Sequence, residues 1–346
     1  MSRAPQLVFR ADASPAIGSG HLLRCLAIAE AWHDLGGRSR FVCSPDSAAW
    51  FPRLSREGCE ITELDAPRTS PADAAATAEL AAEARALVID GYDFGPDFRA
   101  GVRGRYPLVL LDDDGTLGPY AVDVVLNPSA PAAPPRGYDG AGEVWCGPEY
   151  RLLRREFRTL GDREARGNGE PCRIGVLFGG SDPTQETERA IATLTDWVPE
   201  AEIEVFVGRG NPRREALTSA ARSGPVTVQV DADPIAPHLL RLDLAISAAG
   251  GTAWELAALG VPTVLIAVAA NQRTTLDALV AAGAAWEWQP HDAEFRSRFR
   301  SLTARGDVRR SLSEAARRIS DSNGAVRVAE ALWNREVSRN PSSRRR

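Results

Sequence analysis

The strongest constraint in this sequence is a rhythm. Short apolar strands alternate with helical stretches, and the alternation runs through twice. In the first half, LVFRAD (7–12) precedes a helical stretch near 20–35. RFVCS (40–44), AAWFPRLSREG and EITEL (60–64) follow, and an Ala-rich helix over 71–84 leads to ALVIDGY (86–92). LVLLDD (108–113) and VDVVLNP (122–128) complete that half. In the second half, RIGVLFGGSDP (173–183) precedes a helix near 184–196. EIEVFVG (202–208), VTVQV (226–230), LAISAAG (244–250) and TVLIAV (263–268) then come with helices between them. Apolar strands separated by helices are strands of a parallel sheet covered on both faces. The predicted fold is therefore α/β, with two Rossmann-like doubly wound domains.

The length of 346 residues agrees, being too long for one ordinary core. The expected domains are 1–150 and 171–337. The junction lies in 130–171, where APAAPPRGYDG and GDREARGNGEP are rich in proline, glycine and charge. Past residue 306 the pattern is helical to about 337, and such a helix could pack onto either domain. Residues 338–346, ending SRNPSSRRR, read as a disordered tail.

A net charge of −5 gives no reason to expect nucleic acid or a membrane surface as partner. No run of about 18 apolar residues offers a membrane span, and the start carries no secretory pattern. Five cysteines, an odd number with no CxxC pair, read as free thiols in a reducing cytoplasm. No HExxH or GxSxG occurs, so neither metal nor nucleophile patterns stand out.

Open α/β sheets bind ligands beyond the carboxyl ends of their strands, and two such domains facing each other make an interdomain cleft. Five loops after strands carry glycine or polar residues. IGSGHLLRC (17–25) puts Gly18 and Gly20 before His21 in the first turn of a helix, where the partial positive charge suits a neutral imidazole acting as base. Arg24, one turn on, shares that face and could meet phosphate or carboxylate. Asp12 could orient the histidine or hold a sugar hydroxyl. A structural turn with a surface histidine is the competing reading. Cys25, four residues after His21, reads as buried among Leu22, Leu26 and Ala29 rather than as a thiol partner.

GGSDP (179–183) reads equally as a phosphate cradle and as a loop in which Asp182 caps a helix. SAAGGTAWELAALGVPTV (247–264) is more specific: a glycine turn opens a helix with Glu255 early in it, a pattern for diphosphate and ribose. Its competing reading is a charge placed near a helix start. AVAANQ (267–272) offers Asn271 and Gln272, and DGY (90–92) offers Asp90 and Tyr92. By composition each of these two reads as an ordinary loop before it reads as a site. His33 and His291 read as surface residues, and His238 as the start of a helix.

RADASPAIGSGHLLRCLAIAEAW (10–32), DGYDF (90–94), LDDD (111–114), LNP (126–128), GPEYRLLRREF (147–157), FGGSDPTQ (178–185) and DLAISAAGGTAWELAALGVPTVLIAVAANQ (243–272) occur in this order. In these motifs the chain resembles the UDP-2,4-diacetamido-2,4,6-trideoxy-β-L-altropyranose hydrolases of pseudaminic acid biosynthesis. That family resembles the glycosyltransferase-B superfamily. The resemblance implies a glycosyltransferase-B fold with the nucleotide sugar in the cleft. It also implies inverting hydrolysis to UDP and free sugar, with no metal ion and no cofactor. By the same resemblance His21 activates the water, and Tyr92 and Asn271 lie near the sugar and the water. Gly250, Gly251 and Thr252 meet the diphosphate, Glu255 the ribose, and Gly180 and Ser181 the phosphates from the other side. Departures are Gly91, where the family usually has serine, Ala270, where it usually has an acidic residue, and one extra alanine before Gly250. A glycosyltransferase acting on surface polysaccharide is the alternative. It would need an acceptor surface near His21, and the N-terminal half shows no basic and apolar cluster of that kind.

Overall fold

The structure, a computed structural model, describes residues 4–14, 17–50, 52–129, 137–160, 172–180, 182, 184–221 and 226–335, with backbone only at 48–50. Ser181 and the expected tail 338–346 lie outside the described residues. The chain divides into two compact units, Met1–Arg155 with Ser322–Arg346, and Glu156–Asp321.

The first unit is a seven-stranded parallel sheet. Its strands are β1 (Gln6–Ala11), β2 (Arg38–Cys43), β3 (Glu60–Glu63), β4 (Ala86–Asp90), β5 (Leu108–Leu111), β6 (Val124–Asn127) and β7 (Glu143–Cys146). They lie in the order β3-β2-β1-β4-β5-β6-β7. Alternation along each strand divides the core between two layers. Leu7, Phe9, Val88 and Val109 pack under the helices Gly20–Asp34 and Gly324–Asn334. Val8, Leu87, Ile89 and Leu108 pack on the opposite face with Phe94 and Phe98.

The second unit repeats the plan with six parallel strands: β8 (Arg173–Leu177), β9 (Glu202–Val207), β10 (Val226–Val230), β11 (Leu244–Ala248), β12 (Thr263–Ile266) and β13 (Ala285–Glu287). Their order is β10-β9-β8-β11-β12-β13. Numbered from its own first strand, each sheet therefore runs 3-2-1-4-5-6, with a seventh strand added at the edge of the first, the doubly wound order of dinucleotide-binding domains. The order reverses between β1 and β4 in the first unit and between β8 and β11 in the second, and the loops after these strands are where such sheets bind ligands.

The last helix differs from the expected second domain of 171–337. The stretch past 306 is broken at Ser320–Asn323 into Gly306–Ile319 and Gly324–Asn334, and the latter packs in the first unit. Ala325, Val328, Ala329 and Leu332 are buried there, and Trp333 meets Trp32 edge to face at 4.8 Å. None of the five cysteines is in a disulfide and all are buried, and burial raises the thiols of Cys43 and Cys59 to about 11. Among the described residues, no helix is long and apolar enough to cross a membrane.

Candidate active site

After β1, Gly18 N–H donates to Ser14 O at 2.7 Å, which draws the chain back on itself. Gly18 takes φ +77°, a conformation that favours glycine. The turn delivers the chain to the helix Gly20–Asp34, whose flanking Ser19 makes no side-chain cap bond. Gly20 is its exposed first residue and His21 its buried second.

β4 runs beside β1 in register Ala11↔Asp90, so its last residue reaches the same end of the sheet. There Asp90 Oδ1 lies 2.7 Å from His21 Nδ1. Arg24 grips the same carboxylate with two nitrogens, Nε to Oδ2 at 2.5 Å and Nη2 to Oδ1 at 2.7 Å. Its third nitrogen, Nη1, donates to Asp113 Oδ2 at 2.6 Å. Burial alone would push the Asp90 carboxyl up, but the adjoining Arg24 and then His21 outweigh it and bring it down to about 2. Burial alone would likewise lower the Arg24 guanidinium, but Asp113 and Asp90 hold it well above its usual range. A carboxylate can only accept, so the proton between Asp90 and His21 sits on Nδ1 and leaves the lone pair of the neutral ring on Nε2. Tyr92 stacks edge-on against His21 at 5.0 Å and donates its hydroxyl to Asp113 Oδ2 at 3.2 Å. Burial, then the charge of Asp113, raise its phenol to about 12.

His21, Arg24 and Tyr92 are thus brought together, and Asp90 orients the histidine. The expected orienting residue, Asp12, does not reach it. Asp12 Oδ2 pairs with Arg10 at 2.6 Å and with Arg68, and Oδ1 accepts from Ser44 N at 2.6 Å and Ser47 Oγ at 3.2 Å. Gly91, the departure from the family serine, has a packing reason. A Cβ there would fall 2.6 Å from Arg68 Nη2 and 2.8 Å from the ring of Phe94, over which Arg68 stacks. Cys25 is buried as expected, 3.8 Å from Asp90. His33 is half-buried rather than a surface residue, with Nε2 2.8 Å from Ser39 Oγ. His238, in the short helix Ala236–Leu239, lies 3.7 Å from Glu204.

The second unit presents different material at its own reversal point. After β8, Gly179 takes φ +77°. Gly208 packs so closely on Gly180 that a Cβ at 208 would lie 2.5 Å from Gly180 Cα. Asp182 takes the capping role: its carboxylate accepts from Glu186 N and Thr187 N at 3.0 Å each, at the start of the helix Glu186–Trp197. After β11, Gly250 flanks the helix Gly251–Leu259 with no side-chain cap, and Thr252 lies in its first turn. The amides of that turn therefore have no capping side chain to accept from them. Glu255 follows one turn later, half-buried. Asn271 and Gln272 form a short turn after β12, Asn271 exposed and Gln272 fixed by Val268 N donating to its Oε1 at 3.1 Å. That bond turns Gln272 Nε2 towards Gly250, 3.6 Å from where a Cβ there would stand. Among the described residues, no group of three or more His, Cys, Asp and Glu side chains is placed to hold a metal ion.

No family model matches the chain. It is 27% identical over 236 residues to the spore coat polysaccharide biosynthesis protein SpsG of Bacillus subtilis, covering 65% of this chain and 68% of that one. It is 29% identical over 186 residues to the UDP-2,4-diacetamido-2,4,6-trideoxy-beta-L-altropyranose hydrolase of Campylobacter jejuni. That match covers 51% of this chain and 61% of the hydrolase, less than two thirds of its length. In three dimensions the chain superposes on MurG of Acinetobacter baumannii with a TM-score of 0.61 at 18% identity, covering 96% of this chain and all of that one. The chain has the glycosyltransferase-B fold. Its sequence is similar to the hydrolase named in the resemblance and also to SpsG.

Sequence reading offered Asp90 only as a loop residue beside Tyr92, not as the partner of His21, and left Asp113 without a role. Their signal was present: Asp90 closes β4 and Asp113 lies two residues past β5, each inside a quoted motif, DGYDF and LDDD.

Proposed function

We propose that the protein hydrolyses a UDP-linked 2,4-diacetamido-2,4,6-trideoxy sugar to UDP and the free sugar, in the biosynthesis of pseudaminic acid or a related nonulosonate. The observation that carries this reading is the His21–Asp90 pair at the reversal point of the first sheet, 2.7 Å apart. The similarity to the Campylobacter hydrolase supports the substrate. In this reaction His21 Nε2 takes a proton from water while the water oxygen bonds to the anomeric carbon. The bond from that carbon to the diphosphate breaks, and UDP leaves with the electron pair, so the configuration inverts. Asp90 stabilises the imidazolium as it forms. The uncapped turn at Gly250, Gly251 and Thr252 would receive the diphosphate, with Gly180 and Ser181. Glu255 would accept from the ribose, and Asn271, Gln272 and Tyr92 would serve the sugar and the water. A cytoplasmic setting belongs to the same reading.

The similarity to SpsG favours a second reading, in which the same base activates an acceptor hydroxyl and the protein is a glycosyltransferase of surface polysaccharide synthesis. One experiment separates the two. The protein is incubated with the UDP-linked diacetamido-trideoxy-altrose and no acceptor, and the phosphorus and anomeric proton signals are followed. Release of UDP with free sugar of inverted configuration is expected. Substrate that stays intact overturns the hydrolase reading.

A further inference from the structure

Two motifs of the first unit, LDDD and LNP, have no part in the reaction as written, yet they meet in one buried cluster. β5 ends at Leu111, and Asp112 folds the following loop on itself by accepting from the backbone N–H groups of Asp114, Gly115 and Leu117. That fold leaves Asp113 next to the reversal point, its side chain 9% exposed. Asn127, at the end of β6, ties the two loops together. Its Nδ2 donates to Asp113 O at 2.8 Å and to Tyr138 Oη at 2.7 Å, and its Oδ1 accepts from Ser129 N at 2.9 Å. Ser129 Oγ then donates to Asp113 Oδ1 at 2.9 Å. One carboxylate oxygen is thereby held by Ser129 just past β6, and the other is left for Arg24 Nη1 and the Tyr92 hydroxyl.

The consequence lies in how Arg24 is held. A guanidinium is planar and presents its donors in a fixed fork. Two of its nitrogens are spent on Asp90, and Asp113 fixes the third. With all three engaged the plane cannot rotate, so the Asp90 carboxylate cannot turn away from His21 Nδ1. Arg24 Nη2 stands 3.4 Å from that same nitrogen, so a small rotation of the fork alters what Nδ1 faces. Asp113 also tethers the ring that packs on the edge of the imidazole.

The geometry points to Asp113 as the positioning residue of this site: held by Asn127 and Ser129, it locks Arg24 on Asp90 and Tyr92 on His21, and so fixes the tautomer and the aim of the histidine. This rests on the proposed role of His21 as base, and the test is arranged so that the two fail separately. The variants are Asp113→Asn and the milder Ser129→Ala, with Asp113→Glu as the conservative control. The first measurement needs no substrate. Histidine side-chain nitrogen spectra of the neutral imidazole, assigned by the loss of one signal set in His21→Asn, report which ring nitrogen carries the proton. In the parent the His21 proton is expected on Nδ1. In Asp113→Asn it is expected to spread over both nitrogens, and in Ser129→Ala to shift the same way by less. The second measurement is hydrolysis of the UDP-sugar. For Asp113→Asn, kcat is expected to fall on the order of 10²-fold with KM little changed, and Asp113→Glu to recover part of it. A His21 spectrum identical in the parent and a folded Asp113→Asn or Ser129→Ala variant overturns the positioning role, whatever the substrate proves to be. A parent that leaves the UDP-sugar intact overturns the hydrolase reading and leaves the spectra to decide this one.

Discussion

At the reversal point of the first sheet, the loops after β1 and β4 carry His21, Arg24 and Asp90, every charge answered by a neighbour. At the equivalent point of the second sheet, the loops after β8 and β11 carry Gly179, Gly180, Gly250 and Gly251, and the helix start at Gly250 has no side-chain cap. The strand order is the same in both. What differs, on the proposed reading, is which part of the chain would do the chemistry. In the first unit side chains are locked into a fixed geometry, as proton transfer needs. In the second, glycines stand in the loops and no side chain caps the helix start at Gly250, as the proposed close approach of a diphosphate would need. A shared architecture therefore says where to look in each unit, and the residue types say for what.

The comparison is broken most severely at His21. His21→Asn removes the proposed base and is expected to lower kcat by about 10²–10⁴-fold, measured as UDP release. Turnover within about tenfold of the parent would show that the first unit does no proton transfer through His21.

Asp90→Asn is the next largest change. It leaves the shape but offers an amide where Arg24 and His21 need an acceptor, and kcat is expected to fall by about 10²-fold. It also carries a stability signature. The Asp90 carboxyl is depressed from an ordinary 3.8 to about 2 in the folded protein. A depressed carboxyl stabilises the fold above its unfolded value and loses that contribution as pH falls through the folded value. The contribution is about 2 kcal/mol, present above about pH 4 and lost towards about pH 2. Denaturant midpoints recorded across that window are expected to slope less in Asp90→Asn than in the parent.

Gly208→Ala tests the close packing in the second unit. The new Cβ would meet backbone, Gly180 Cα at 2.5 Å and Gly180 O at 2.9 Å, so the Gly179–Gly180 loop must move. A loss of about 1–3 kcal/mol is expected, read as a lower melting temperature, with a higher KM for the nucleotide sugar. An unchanged KM would detach this loop from phosphate binding.

Most strands were legible because burial on both faces writes them as continuous apolar runs, as in ALVI before Asp90 or TVLI at 263–266. β7 and β13 escaped notice because EVWC and AWE are short and begin or end on a charged residue. The helical pattern past 306 was legible, but a helical pattern does not name the partner it packs on, and helix Gly20–Asp34 takes up Gly324–Asn334. The orienting carboxylate was misassigned for a related reason. Asp12 follows β1 and Asp90 ends its neighbour β4, and the register pairs Asp90 with Ala11. Asp12 is one residue further on, on the side of Arg10, and alternation sends it to the opposite face from Asp90. Only the pairing of the two strands, which spacing along the chain does not encode, decides between them.

Gly251→Ala has the smallest expected effect and separates the two units most cleanly. Gly251 is the first residue of the helix Gly251–Leu259, is exposed, and has open space where a Cβ would stand. Alanine fits a helix better than glycine by about 0.5–1 kcal/mol, so the variant is expected to melt at the same temperature as the parent or slightly above it. If the open space is kept for a diphosphate, the added methyl stands where the ligand must come close to the backbone. KM for the nucleotide sugar is then expected to rise about tenfold, equivalent to about 1.4 kcal/mol of binding, with kcat little affected. Stability and binding would move in opposite directions at one atom, which a purely structural glycine cannot do. The matching change in the first unit, Gly20→Ala, also meets open space but stands beside His21 rather than at the glycine turn, so its KM is expected to change less. Equal KM increases in the two variants would mean that both units receive the ligand through their backbone, and the division of labour between them would fall.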